Sequence, residues 1–212
     1  MSWTKDDLTV VYHVAGMGNW KEVVNEQLAL LQRVGLTSVQ STYVGPEPQW
    51  LESCAKEHSI DLHLVKQSPN TDHYETFAML HIEELAKSSD KPVLYFHTKG
   101  VSNPGDHRKP IWRRLMGRWV VERWKENLDL LATHETVGVD WLHCTHSHYV
   151  GNFWLARADY LRRQEPFVTF HTNMSMTRFS CEFWIGWGNP KNHSHVCRNL
   201  MWWDLVDKYG YC

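Results

Sequence analysis

The sequence predicts an α/β fold with a mostly parallel central sheet flanked by helices. Three observations predict it. In the first half, short apolar, β-branched runs alternate with helix-length amphipathic segments over brief connections. Glycine- and proline-bearing turns punctuate the alternation. The 212 residues suffice for one large domain that buries most of its apolar surface without a disulfide or metal staple.

Residues 8–14 (LTVVYHV) form a continuous apolar run, as a buried strand does. The turn AGMGNW follows. Residues 20–34 then place Val23, Val24, Leu28, Leu31 and Val34 near helical spacing, and Gly35 stops the helix. A second strand is expected over 38–44, closed by Gly45-Pro46-Glu47-Pro48. A short helix is expected over 50–58, and a third, alternating strand over 60–65. Ser68-Pro69-Asn70-Thr71-Asp72 reads as a turn, with Asp72 the expected cap of the next helix. That helix is expected over 74–86, with Phe77, Leu80, Ile82 and Leu85 as its apolar side. Residues 92–97 (PVLYFH) are the most strand-like of all. Right-handed crossovers collect the strand C-termini along one edge. That edge carries AGMGNW, VGPEP, SPNTDHYE and HTKG.

The second half reads differently. One long helix rich in Trp and Arg is expected over 110–131, and a strand over 136–141. Another strand is expected over 148–156, broken at Gly151, and a short helix over 159–163. Residues 179–187 are aromatic and apolar around one acid, and residues 202–209 close the chain. There is no repeat, low-complexity stretch or linker, so residues 1–212 read as a single domain.

Composition excludes several classes. The formal net charge is −2 with no long basic run, which argues against a nucleic-acid backbone binder. Cys54, Cys144, Cys181, Cys197 and Cys212 are odd in number and widely spaced, with no CxxC pair. They read as reduced thiols rather than a disulfide framework or zinc site. Residues 1–8 are polar and charged, so no signal peptide is expected, and no apolar run reaches the length of a membrane span. The expected localisation is cytoplasmic. Twelve tryptophans are unusual; sugar-binding surfaces use Trp heavily, and so do cores.

Five segments carry candidate chemistry. In VLYFHTKG a buried strand ends in His97-Thr98-Lys99-Gly100, where α/β folds bind ligands. A lysine there neutralises phosphate and a glycine admits a close backbone approach, unless Lys99 is simply solvated. In RKPIWRRLMGR, Arg113, Arg114 and Arg118 either clamp a diphosphate or pair with Glu122 and Glu126. Glu182 sits among Cys181, Phe183, Trp184 and Ile185. Desolvation there is expected to raise its pKa and suit it to general-base work, unless it pairs with Arg178. Tyr74 and Glu75 open a helix behind Asp72, where Glu75 is placed to bond a ribose hydroxyl or to hold Lys99. Among His143, His146, His148, His193 and His195, only His195 is retained as a candidate metal ligand.

In this order, VLYFHTKG, WRRLM, TVGVDW, HYVGNFWLARADYL and FSCEFWIG resemble small bacterial and viral glycosyltransferases with a GT-A-like, Rossmann-like fold. The chlorella-virus type, which glycosylates capsid protein, is among them. The resemblance covers roughly residues 8–190. It implies a UDP-sugar donor bound across a nucleotide half (about 1–105), a glycan acceptor bound by an acceptor half (about 106–212), and a cytoplasmic site, that of the host if viral. It places His13, Ala15 and Gly16 beside the base and ribose. Together with the strand-end reading, the nucleotide sugar is expected along the edge of Tyr74, Glu75, His97, Thr98, Lys99 and Gly100, with Lys99 and Arg113 or Arg114 stabilising the departing UDP. Asn152 would bond a sugar hydroxyl, Trp154 would stack on a ring, and Glu182 would act as base. Such enzymes usually carry Asp-x-Asp where this chain has His97-Thr98-Lys99. Two explanations stand open. Lys99 and an Arg replace the cation, or Mn²⁺ or another divalent cation is held mainly by the diphosphate with His97, Asp72 or His195 assisting. A non-catalytic carbohydrate-binding module and a different nucleotide enzyme are the rivals. The absence of GxGxxG and GxxxxGK[ST] makes NAD and P-loop readings poor.

Overall fold

The computed structural model describes residues 3–196. The segment expected over 202–209, with Cys197 and Cys212, lies outside the described residues. The first half builds β1 (Thr9–Ala15), α1 (Trp20–Arg33), β2 (Ser38–Val44), α2 (Pro48–Glu57), β3 (Asp61–Ser68), α3 (Thr76–Ser88) and β4 (Val93–His97). Each was expected, to within three residues at either end. In the second half come α4 (Arg108–Met116), a π-helical stretch (Gly117–Glu122) and α5 (Trp124–Leu130). They are followed by β5 (Thr136–Gly138), β6 (Trp141–Leu142), β7 (His148–Tyr149), β8 (Trp154–Ala156), α6 (Ala158–Arg162), α7 (Phe167–Asn173), α8 (Arg178–Trp187) and β9 (Asn192–Ser194).

Seven strands form one sheet in the order β3-β2-β1-β4-β8-β5-β9. β1, β2, β3 and β4 are mutually parallel, β8 runs antiparallel to both its neighbours, and β9 is parallel to β5. Strands from both halves of the chain therefore share one sheet. β6 and β7 pair separately. Helices cover both faces. On one side α1 packs Val23, Val24, Leu28 and Leu31 into a core with Trp112, Val120, Val121 and Trp124. On the other, Met79 and Ile82 of α3 pack with Tyr160, Phe167, Phe170 and Trp184. Each such buried side chain contributes roughly 1.5–3 kcal/mol. No helix among the described residues is long and apolar enough to cross a membrane. Cys54, Cys144 and Cys181 are free thiols.

Four expectations are corrected. The helix expected over 110–131 is not one α-helix: it passes into π geometry at Gly117 and breaks at Arg123. The Asn127 amide then donates to the carbonyls of Trp119 and Val120 at 2.9 and 3.1 Å, which the break would otherwise leave bare. The strand expected over 136–141 splits at Asp140, whose φ of 52° turns Trp141 into the small sheet. The cap expected of Asp72 is not formed either: α3 starts behind Glu75 with no side-chain cap bond, and Asn70 accepts from Asp72 N at 2.9 Å to cap the short 3-10 turn Thr71–His73. Finally, α7 and β9 carried no periodic signal and were not anticipated.

Candidate functional site

The chain order of the sheet reverses between β1 and β4: β2 and β3 lie to one side of β1, and β4 to the other. Crossovers leave such a point in opposite directions, so a crevice opens at the strand C-termini. Here those termini read His13-Val14-Ala15 and His97-Thr98-Lys99. They are tied together by Thr98 N donating to the His13 carbonyl at 3.1 Å and Ala15 N donating to the Thr98 hydroxyl at 2.9 Å.

A cavity of about 210 Å³ fills the crevice. His13, Ala15, Thr98 and Gly100 line it from the strand ends, with Thr71, Tyr74 and Glu75 from the entry to α3. Lys99, Lys109, Arg178 and Glu182 supply its charge. Gly100, at φ 89°, would drive a Cβ to 2.6 Å from the Cβ of Lys109; its bareness lets α4 bring Lys109 to the cavity. Arg178 and Glu182 lie one turn apart on α8 and so share a face. Tyr74 holds a φ of 45°, an uncommon conformation for a non-glycine residue, at the cavity rim.

His13 pairs with His97 on β4 and with Thr42 on β2, so three polar side chains stand at one level of the sheet. His13 is 1 % exposed; its Nδ1 lies 2.8 Å from the Thr42 hydroxyl and its Nε2 has no partner. Burial lowers its pKa from the ordinary 6.5 to about 4, so the ring is neutral near pH 7. His97 is also lowered by burial. Its Nε2 lies 3.0 Å from the Gly151 carbonyl, which only accepts, so Nε2 carries the proton. Its Nδ1 faces the Glu75 carboxylate at 3.4 Å.

Glu75 is held firmly. Tyr95 Oη and Asn152 Nδ2 both donate to its Oε2, at 3.1 and 2.7 Å. Glu182 lies 3.6 Å from Lys99 Nζ. Burial pushes the Glu182 carboxyl upward, but Lys99 foremost, with Arg178 and the two nearby histidines, holds it below the usual carboxylate range. The expected rise in its pKa is thereby corrected: the cations outweigh desolvation. Lys109 is lowered by burial and then by the neighbouring charge of Lys99.

Of the residues singled out in the sequence, the cavity brings together His13, Ala15, Tyr74, Glu75, His97, Thr98, Lys99, Gly100 and Glu182. The others stand elsewhere. Gly16 packs under Tyr43, where a Cβ would meet the hydroxyl at 2.1 Å. Arg113 is buried, donating to the Lys99 carbonyl at 3.0 Å and pairing with Glu26, while Arg114 pairs with the same Glu26 at the surface. Neither reaches the cavity, so the expected diphosphate clamp is not formed by these two. Asn152 is fully buried and committed: its amide donates to Glu75 and to the Cys181 carbonyl, and its oxygen accepts from Trp154 Nε1. Trp154 is itself core, packed on Tyr95, and has no face for a sugar. Glu75 holds neither Lys99, which Glu182 holds, nor the cap of α3.

The residues expected to assist a divalent cation do not converge. His97 is bonded to Gly151 and faces Glu75; Asp72 is exposed outside the cavity. His195 lies at β9, the far edge of the sheet, stacked on Trp119 with Nε2 2.6 Å from Asn127. No cluster of three His, Cys, Asp or Glu suited to a metal occurs among the described residues. These residues do not fit an all-protein metal site.

Residues 11–200 match the family described as Domain of unknown function (DUF8361). The chain belongs to this family. No functionally curated protein matches the sequence. Among solved structures, HddC from Yersinia pseudotuberculosis complexed with GMP-PN superposes with a TM-score of 0.51 at 7 % identity, over 95 % of this chain and 99 % of that one. Another HddC structure from the same organism gives 0.49 at 7 % identity, over 90 % and 91 %. The 4-diphosphocytidyl-2C-methyl-D-erythritol synthase of Anaerococcus prevotii gives 0.46 at 9 %, over 81 % and 77 %. At these identities the likeness is one of fold. It agrees with the α/β architecture, a mostly parallel sheet flanked by helices.

Two cavity cations of this DUF8361 chain carry no motif of their own: Lys109 lies among arginines in the basic stretch, and Arg178 reads locally as a partner for Glu182. The signal that links them is spacing: Arg178 and Glu182 are i and i+4, and Lys109 lies in the first turn of the helix that follows HTKG.

Proposed function

We propose that this protein is a glycosyltransferase that takes a sugar from a nucleoside diphosphate, UDP as first choice, and attaches it to a glycan hydroxyl. The observation that carries the reading is the composition of the crevice at β1 and β4. Two half-buried carboxylates, Glu75 and Glu182, share the crevice with three cations, Lys99, Lys109 and Arg178, over a buried histidine whose Nε2 has no partner.

In this reading the nucleoside lies against His13, Ala15 and Tyr74, where the His13 Nε2 gains its missing partner. The diphosphate lies among Lys99, Lys109 and Arg178, which stabilise the charge that grows on it as the glycosidic bond breaks. Glu182, ionised by its cationic surroundings, takes the proton of the acceptor hydroxyl, whose oxygen attacks the anomeric carbon from the opposite face; inversion follows. Lys99 couples the two events. When it turns from Glu182 to the incoming phosphate, Glu182 loses its main counter-charge and becomes the stronger base. Glu75, fixed by Tyr95 and Asn152, orients His97 and the ribose edge of the cavity. A Mn²⁺ carried in on the diphosphate is the alternative source of charge, and chelation separates the two.

A nucleotidyl transfer is the second reading, favoured by the fold shared with the HddC that was solved with GMP-PN and by three cations suited to a longer phosphate chain. A purely sugar-binding module has lost ground, because Trp20, Trp112, Trp124, Trp141, Trp154 and Trp184 are buried.

The test is thermal stability with UDP, GDP and CMP, each with Mn²⁺ or EDTA, followed by product analysis with UDP-sugars. A ligand specific to the native state stabilises the fold by about 2.7 kcal/mol at a hundredfold excess over Kd and so raises the melting temperature. A UDP-selective shift that survives EDTA, with UDP released in turnover, is expected. Release of pyrophosphate from a nucleoside triphosphate would replace this reading with nucleotidyl transfer, and no shift with any nucleotide would remove both.

A further inference from the structure

A second cavity, of about 310 Å³, opens between α1 and the segment running from α4 into the π-helical stretch. Its floor is apolar: Leu30, Phe96, Val121 and Phe153. Its walls hold four arginines, Arg33, Arg113, Arg114 and Arg118, against two glutamates, Glu26 and Glu122. Positive charge is thus in excess over a hydrophobic base. Arg113 is 5 % exposed, and its Nε has no hydrogen-bond partner. A buried guanidinium donor left unpaired is costly, and a bound anion relieves the cost. The π geometry itself places Gly117, Arg118, Val121 and Glu122 along one wall, and such turns recur at functional sites.

The cavity lies directly behind the catalytic loop. Gln27, in its wall, donates to the His97 carbonyl at 3.0 Å, and Arg113 donates to the Lys99 carbonyl at the same distance. Two wall residues therefore grip the carbonyls of two crevice-lining residues, His97 and Lys99, from the rear.

We propose that this is a second ligand site, for a small aromatic carboxylate, and that its occupancy is felt at the His97–Gly100 loop through Arg113 and Gln27. The aromatic body matches the Phe96 and Phe153 floor, and the volume lies at the small end of ligand pockets. A single carboxylate, rather than a phosphate dianion, matches arginine charge already half cancelled by Glu26 and Glu122. The proposal stands apart from the identity of any nucleotide.

The experiment is an NMR titration of the ¹⁵N-labelled protein with 2-naphthoate, with neutral 2-naphthalenemethanol and inorganic phosphate as comparison ligands. Saturable binding with a Kd of about 0.1–1 mM is expected. Shifts are expected at Leu30, Gly117 and Val121, and also at Lys99 and Gly100. The alcohol should bind about tenfold more weakly, by loss of the charge-assisted bond. Leu30→Trp, which fills the cavity from a half-buried lining position, should weaken naphthoate about tenfold, and the milder Leu30→Phe about threefold. The site is overturned by absence of saturable shifts, by naphthoate binding indifferent to both Leu30 variants, by equal affinity for the alcohol, or by phosphate displacing naphthoate with matching affinity. The coupling is overturned if Lys99 and Gly100 stay still while Leu30 and Val121 shift.

Discussion

Lys99 Nζ lies 3.6 Å from the Glu182 carboxylate, so the candidate base and its nearest cation neutralise each other across the crevice. The Lys99 charge holds the Glu182 carboxyl below its usual range in a site whose burial pushes it upward. Removing one partner therefore does two things, and the pair of variants separates them. Glu182→Gln is expected to lower kcat by about a hundredfold or more while UDP still binds, as loss of a general base does. Lys99→Ala is expected to weaken UDP instead. Near-normal turnover by a folded Glu182→Gln protein would remove Glu182 from the mechanism.

His13 makes stability depend on pH. Its folded pKa is about 4 against an ordinary 6.5. Above 6.5 the ring is neutral in both states and costs nothing. As pH falls from 6.5 toward 4, the unfolded chain takes up the proton and the folded one does not, so stability is lost; the loss is complete at about 3 kcal/mol below that window. Asn at this position keeps a polar atom near Thr42 but cannot titrate. Denaturation of His13→Asn at several pH values between 4 and 7 should show a correspondingly flatter profile. An unchanged slope would mean the proton is taken up elsewhere.

Asn152 and Trp154 are expected to behave as structural residues. Trp154→Ala empties a core position and should cost about 3–5 kcal/mol. Asn152→Ala leaves the Trp154 N–H without its partner and takes one of two donors, the other being Tyr95, from the Glu75 carboxylate, and should cost about 1–3 kcal/mol. A milder Trp154→Phe should lower the melting temperature and leave KM for the acceptor unchanged. A KM effect without a stability effect would restore the sugar-stacking role that burial speaks against.

Arg113 and Arg114 separate equally cleanly. Arg114 makes a surface pair with Glu26, worth about 0–1 kcal/mol, so Arg114→Ala should be nearly silent in both stability and UDP affinity. Arg113→Ala frees the Lys99 carbonyl and leaves Glu26 half exposed beside an emptied site, so it should lower stability by more and loosen UDP indirectly. Equal losses of UDP affinity in the two variants would point to a clamp.

The alternation of strands and helices from Thr9 to His97 was legible in the sequence because each element there satisfies a local rule. β-branched runs, helical spacing, and Gly or Pro at the breaks all agree, and right-handed crossovers gather the strand C-termini along one edge. That grouped AGMGNW, Tyr74-Glu75 and HTKG, whereas the strand order that sets His13 beside His97 came only with the fold. The second half was read less well because its strands are two or three residues long and held by neighbours distant in the chain. Nothing local marks Asn192–Ser194 as a partner of Thr136–Gly138.

What the sequence by itself determined was which residue types stand at the strand ends; what only the tertiary structure decided was which of them face the cavity and with what charge. Arg113 and Lys109 are both cations of one helix, four residues apart, yet the bare Gly100 admits one to the crevice and Glu26 on α1 holds the other away from it. Asn152 and Trp154 look like sugar ligands in GNFWLA, yet the sheet turns both inward. For Glu182, apolar sequence neighbours promised a raised pKa, and the opposite followed once folding set Lys99 beside it. Desolvation is written into local composition, whereas Coulomb energy depends on distances that exist only after the chain has folded.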